Sequence, residues 1–162
     1  MTQTTMQRIC AIIDAQGFIQ NKRFIVREFA IKTDEIELCL HVNNRMSLKR
    51  LSTSDLKTNL YAQQHVHGLS FLPEKGVSWG CIKELLQYYF NGKPYGVKNN
   101  QLGNLLREIN IPFISLEGAI STKDPRSPKG SAPLSCGKHI GSSRCSLAKV
   151  NQLYLWLEKQ ES

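Results

Sequence analysis

Three apolar runs in the first 42 residues constrain the fold of this chain most. Residues 8–14 (RICAIID) are short, apolar and rich in isoleucine, the pattern of a buried strand. This strand is expected to end at Asp14, with a turn at Gly17. Residues 24–31 (FIVREFAI) and 36–42 (IELCLHV) are the second and third strands, and Thr33-Asp34-Glu35 between them has the length and polarity of a hairpin turn. Strands joined by so short a link run antiparallel. The chain therefore opens as a three-stranded meander.

Helix signals follow. Ser52-Thr53-Ser54-Asp55 caps a short helix carrying Leu56, Leu60 and Tyr61, which His67-Gly68 closes. Residues 79–90 space Ile82, Leu85, Leu86 and Tyr89 at three- and four-residue steps, a helix stopped by Asn91-Gly92. Residues 94–98 are a short strand. Residues 100–110 make a helix with Leu102, Leu105, Leu106 and Ile109 on one face, and 111–117 a strand that Pro112 delays. Residues 118–135 are dense in Gly, Ser and Pro, a long flexible loop. Residues 146–160 place Leu147, Val150, Leu153, Tyr154 and Leu157 on one helical face. Helices alternating with strands after a meander predict an α/β fold with a mixed five-stranded sheet. A chain of 162 residues suits a single domain spanning 1–162, since too little sequence follows the loop to form another.

No apolar run reaches the ~18–20 residues that span a bilayer, and the polar N-terminus MTQTTMQR lacks a signal peptide's apolar stretch. An intracellular protein, cytoplasmic or nuclear and without a membrane partner, is expected. The net charge of +8 favours polyanionic partners, the plainer alternative being a merely basic surface. Five unevenly spaced cysteines without an export signal argue against a disulfide framework. Cys10, Cys39 and Cys81 sit among apolar residues and are expected to be small core residues.

The remaining cysteines belong to a different pattern, Cys136-x2-His139-x5-Cys145. Thiolate and imidazole are the ligands zinc prefers, in tetrahedral sets of four. The two-residue gap brings neighbouring ligands together across a tight turn, and Gly137 and Gly141 let the backbone wrap an ion. Cys145 stands at the start of the last helix, where the dipole favours thiolate. The alternative is a loop with two incidental cysteines. The local stretch supplies no fourth ligand.

Taken together, the strand pair IIDAQGF…FIVREFAI and the Cys-x2-His-x5-Cys element followed by SLAKV resemble the MAEL domain of Maelstrom proteins, which function in the animal piRNA pathway. The specific matches lie at residues 12–31, 67–69 and 136–150. The resemblance implies an RNase H-like fold derived from DEDD-type 3′–5′ exonucleases, with a structural Glu-Cys-His-Cys zinc site. Carried over, that set is Glu28, Cys136, His139 and Cys145. It also implies binding of single-stranded RNA, and cleavage by a route independent of the exonuclease acids. Those acids are mostly missing. The Asp-x-Glu of the first strand reads Asp14-Ala15-Gln16, the next acid is replaced in Lys98-Asn99-Asn100, and the final His-x4-Asp gives way to the zinc element. Chemistry through paired magnesium or manganese ions needs the full set of carboxylates and is not expected. Asp14 is then a relic, a strand-end cap or a weak ligand. In HVHGL, His65 and His67 have the titration range for general acid–base catalysis. The plainer expectation packs His67 against the sheet and leaves His65 in solvent.

Basic residues gather twice: Lys49, Arg50 and Lys57 around the short polar helix, and Lys123, Arg126, Lys129, Lys138 and Arg144 along the loop, where Asp124 is the one acid between 118 and 145. Such groups suit phosphates, and Phe71, Trp79, Tyr88 and Tyr95 are candidates to stack on bases, with Trp79 and Tyr88 expected rather in the core. The leading reading is a zinc-held, catalytically degenerate domain that binds single-stranded RNA or DNA, RNA favoured. The alternatives are a protein-interaction module in an RNA-silencing or mobile-element setting, and an active metal-dependent DEDD-like nuclease.

Overall fold

The computed structural model describes residues 5–44, 46, 48–66, 69, 76–116 and 146–161. The expected loop at 118–135 lies outside them. After a single helical turn, α1 (Thr5–Arg8), come β1 (Ile12–Gln20), β2 (Arg23–Lys32) and β3 (Glu37–His41). A 3-10 turn at Leu48–Arg50 leads into α2 (Thr53–His65), which is followed by α3 (Trp79–Tyr89), β4 (Tyr95–Val97), α4 (Asn100–Glu108), β5 (Phe113–Ser115) and α5 (Ser146–Glu161). The fold is α/β. Its five-stranded mixed sheet has the order β3-β2-β1-β4-β5. β2 is antiparallel to both β1 and β3, and β4 and β5 run parallel to β1 and β4 respectively, so β2 alone opposes the rest.

The meander forms as expected, and Thr33 Oγ1 closes its second hairpin by accepting from the amides of Glu35 and Ile36 at 3.1 and 3.0 Å. The first strand differs from expectation at both ends. The regular strand begins at Ile12, although Cys10 N and Ala11 O already bond to Pro94 O and Gly96 N at 2.8 Å each, and it runs past Asp14 and Gly17 to Gln20. Gly17 is not a turn but a point of close approach. The register changes from Gln16↔Glu28 to Gly17↔Val26, leaving Arg27 as an extra residue on β2, which is a β-bulge. A Cβ on Gly17 would lie 1.9 Å from the carbonyl oxygen of Ile25. The chain reverses instead at Asn21-Lys22, both at positive φ (52° and 64°), the backbone of the tight turns that match strand twist.

Period-two alternation sends the two faces of the sheet into separate cores. Ile13, Ala15, Val26, Phe29 and Ile31 pack with Ile82 and Leu86 of α3 and with Leu102, Leu105 and Leu106 of α4. Ile12 and Ala30 pack on the other face with Val150, Leu153, Tyr154 and Leu157 of α5. Each full burial of such a side chain is worth ~1.5–3 kcal/mol, so these two layers carry the fold. The cysteines depart from the expected core: Cys10 and Cys39 are half-buried and Cys81 is exposed, all three as free thiols. Cys81 lies one position before the buried Ile82, and successive helical residues point ~100° apart, so the apolar neighbours of Cys81 in sequence are not its neighbours in space.

β4 is short and pairs with β1 only at Ile12 and Ile13. Beyond that, two asparagines cover the free edge of β1. Asn99 Nδ2 donates to Ala15 O at 3.0 Å while its Oδ1 caps α4 at the amides of Gln101 and Leu102. Asn59 of α2 accepts from Ile19 N and donates to Ile19 O, each at 2.8 Å. Edge amides and carbonyls need partners when buried, and here side chains supply them.

Candidate functional site

One patch of the sheet breaks the apolar pattern. Asp14 and Gln16 on β1 alternate onto the face that α5 covers, and cross-strand register adds Glu28 opposite Gln16 and His41 opposite Glu28. Asp14, Gln16 and Glu28 are all buried. The start of α5 lies over them. Ser146 N donates to Glu28 Oε1 at 2.7 Å, a buried hydrogen bond spanning 118 residues of sequence. The first amides of a helix have no partner within the helix, and here a carboxylate from a distant strand takes one of them.

Asp14 lies deeper than sequence suggested: it is an interior residue of β1, not a strand end, and is 3% exposed. Burial pushes its carboxyl up from 3.8 to about 6; the charge of Glu28 adds to the rise, while Lys149 and the Ala15 amide oppose it. Asp14 Oδ2 and Ser146 Oγ are buried without a hydrogen-bond partner among the described residues. The patch thus offers a carboxyl that changes charge near neutrality, beside a second, amide-bound carboxylate.

Of the expected zinc ligands, Glu28 stands where the sequence places it, on β2 and fully buried. Cys136, His139 and Cys145 lie outside the described residues, as do His67, Phe71, Lys123, Arg126, Lys129, Lys138 and Arg144. Among the described residues no group of three or more His, Cys, Asp or Glu side chains is placed to hold a metal. After β4, the position where an acid was sought holds Asn99, already committed to capping α4 and covering β1.

Lys49, Arg50 and Lys57 are exposed, as phosphate-binding residues must be. His65 is exposed as expected, its ring centroid 5.0 Å from that of Tyr61. The stacking candidates fare differently. Tyr95 is fully buried, and its hydroxyl donates to Leu86 O, which removes it from any surface role. Trp79 is half-buried, whereas Tyr88 is 81% exposed rather than in the core.

Sequence reasoning missed His41, Ser146 and Lys149. The signal for His41 was present: a four-residue turn centred between Asp34 and Glu35 fixes the pairing of Glu28 with His41, and directly paired residues share a face. No comparable signal brings Ser146 to Glu28, because that contact joins elements more than a hundred residues apart. No helix among the described residues is long and apolar enough to cross a membrane. Comparison with protein-family models, with curated proteins and with solved structures returned no match.

Proposed function

We propose that this is an RNase H-like, exonuclease-derived domain of the Maelstrom type, held by a structural zinc ion, that binds single-stranded nucleic acid, RNA favoured. The observation that carries the reading is the Ser146–Glu28 hydrogen bond. Ser146 directly follows Cys145 in the sequence, so a buried carboxyl on β2 binds the residue next to the Cys-x2-His-x5-Cys element. The donor chemistry of Glu28, Cys136, His139 and Cys145 fits zinc. Such an ion supplies a cross-link between the sheet and the last helix, and its binding free energy becomes folding free energy.

The strand order supports the same reading. A mixed five-stranded sheet with helices on both faces is what that reading expects, and the order β3-β2-β1-β4-β5 with only β2 reversed is such a sheet. Asp14 on the first strand matches the first exonuclease acid, but Gln16 and Asn99 do not fit a two-metal centre, so no catalytic step is assigned to one. The basic balance of the chain supports a polyanionic partner.

Fluorescence anisotropy with labelled single-stranded RNA and DNA tests the binding. Affinity is expected to fall steeply between 50 and 200 mM salt, as about that range distinguishes counterion release. Absence of binding at low salt overturns the reading. Cleavage stimulated by Mg²⁺ or Mn²⁺ and lost in Asp14→Ala would favour an active nuclease instead.

A further inference from the structure

Helix α2 is built inside out. Its one buried side chain is the polar Asn59, while Leu56, Leu60 and Tyr61 are 42%, 38% and 63% exposed. A helix lying on a domain ordinarily turns apolar residues inward and polar ones outward. Here the inward anchor is the pair of hydrogen bonds from Asn59 to Ile19. At ~100° per residue, Lys57 and Tyr61 each lie about 200° from Asn59 and so point almost directly away from the sheet. His65 follows one turn on from Tyr61, and the two rings stand 5.0 Å apart at 44°. Lys57, Tyr61 and His65 therefore form an exposed stripe at four-residue steps.

Charge identifies the occupant. Asp55 is the only acid between residues 38 and 73, and its Oδ2 is taken by the Asn21 amide at 2.9 Å. That bond also brings the Asn21-Lys22 turn, with its exposed lysine, to the beginning of the helix. Lys49 and Arg50 stand exposed in the 3-10 turn that leads into it. A solvent-facing aromatic pair on a stretch of chain with several exposed cations and a single acid matches a strand whose bases are open to stacking and whose phosphates need positive partners.

We propose that the outer face of α2 is a base-stacking platform. Tyr61, backed by His65, stacks a base of a single strand, and Lys57, Lys49 and Arg50 hold the adjoining phosphates. This rests on the reading that the domain binds single-stranded nucleic acid, and it adds where the strand lies and which side chains meet it. Tyr61 is the residue that separates single strands from duplexes, because paired and stacked bases expose no face to it.

The test uses the full chain with labelled 16-nucleotide poly-uridine and poly-adenosine RNA and a duplex of equal length, read by anisotropy. Tyr61→Ala is expected to weaken single-strand binding about tenfold with the salt slope unchanged, whereas Tyr61→Phe keeps the ring and stays near wild type. Lys57→Ala is expected to reduce the salt slope by about 0.7, the value for one phosphate contact on a single strand. Tyr88→Ala, which removes a still more exposed ring from α3, is expected to leave binding unchanged. Thermal unfolding checks that each variant is folded. If wild type binds single strands but Tyr61→Ala binds equally well, or if duplex binds as tightly as single strand, the platform is overturned while nucleic-acid binding stands. If wild type binds no strand at low salt, both fail, and the exposed face of α2 belongs to a protein partner.

Discussion

Asn59→Ala tests how the open edge of β1 is held. The substitution removes two hydrogen bonds, from Ile19 N and to Ile19 O, each 2.8 Å long. A buried backbone group left without a partner costs about 1–3 kcal/mol. Ile19 is half-buried, so water partly replaces the lost partners and the low end of that range applies, about 1.5 kcal/mol for each group. Alanine is the better helix former by about 0.5 kcal/mol, which offsets a little of this. The net loss is about 2.5 kcal/mol, or about 5–10 °C in melting temperature for a domain of this size. Urea unfolding should show a lower midpoint with an unchanged slope, and the Ile19 amide should exchange its hydrogen faster than in wild type. Gln64→Ala, on the exposed side of the same helix, should change stability by less than about 0.5 kcal/mol. If Asn59→Ala melts with wild type, the edge is held by something other than this side chain.

Two further outcomes follow from the same structure. The Asp14 carboxyl titrates at about 6 when folded against an ordinary 3.8, so the folded state holds its proton more tightly and loses stability as pH rises between those values. Asp14→Asn is therefore expected to be more stable than wild type by about 3 kcal/mol near pH 8, with the gain vanishing below about pH 4; chemical denaturation at matched metal content measures it, and a pH-independent difference contradicts it. Gly17→Ala would drive a methyl group into the Ile25 carbonyl and should cost about 3 kcal/mol, while Gly80→Ala, whose nearest neighbour would be Ser78 Oγ at 3.5 Å, should stabilise α3 by up to about 1 kcal/mol. Equal melting of the two alanine variants would refute the close approach at Gly17.

What the sequence disclosed and what it hid divide along a physical line. Local signals were reliable. The Thr33 turn, the Ser52 cap, the Gly92 stop at positive φ and the apolar face of α5 all appear where short-range chemistry places them. Tertiary relations misled. Gly17 looked like a turn because glycine permits one, yet its role is to admit the backbone of the bulged partner strand. Leu56, Leu60 and Tyr61 are the large apolar residues of the short helix, yet its buried side chain is Asn59 and all three stand exposed. Tyr88 and Tyr95 exchanged their expected places for a related reason: residue type does not say which side of an element meets the core. For the candidate site, Glu28 was legible as an acid inside an apolar strand, where a buried charge needs a reason, whereas Asp14 was read as a strand end and its burial was not legible. Ser146, which meets Glu28, carried no local mark.

In the function proposed above, Glu28 and the Cys-x2-His-x5-Cys element would share a zinc ion that ties the last helix to the sheet. Elemental analysis of purified protein never exposed to chelator tests it most directly. About one zinc per chain is expected, the complement of a single closed four-ligand site. Cys145→Ser is expected to lose that zinc together with folding stability, because ligand and fold are coupled. Wild-type protein that is folded and carries zinc far below one per chain would contradict it.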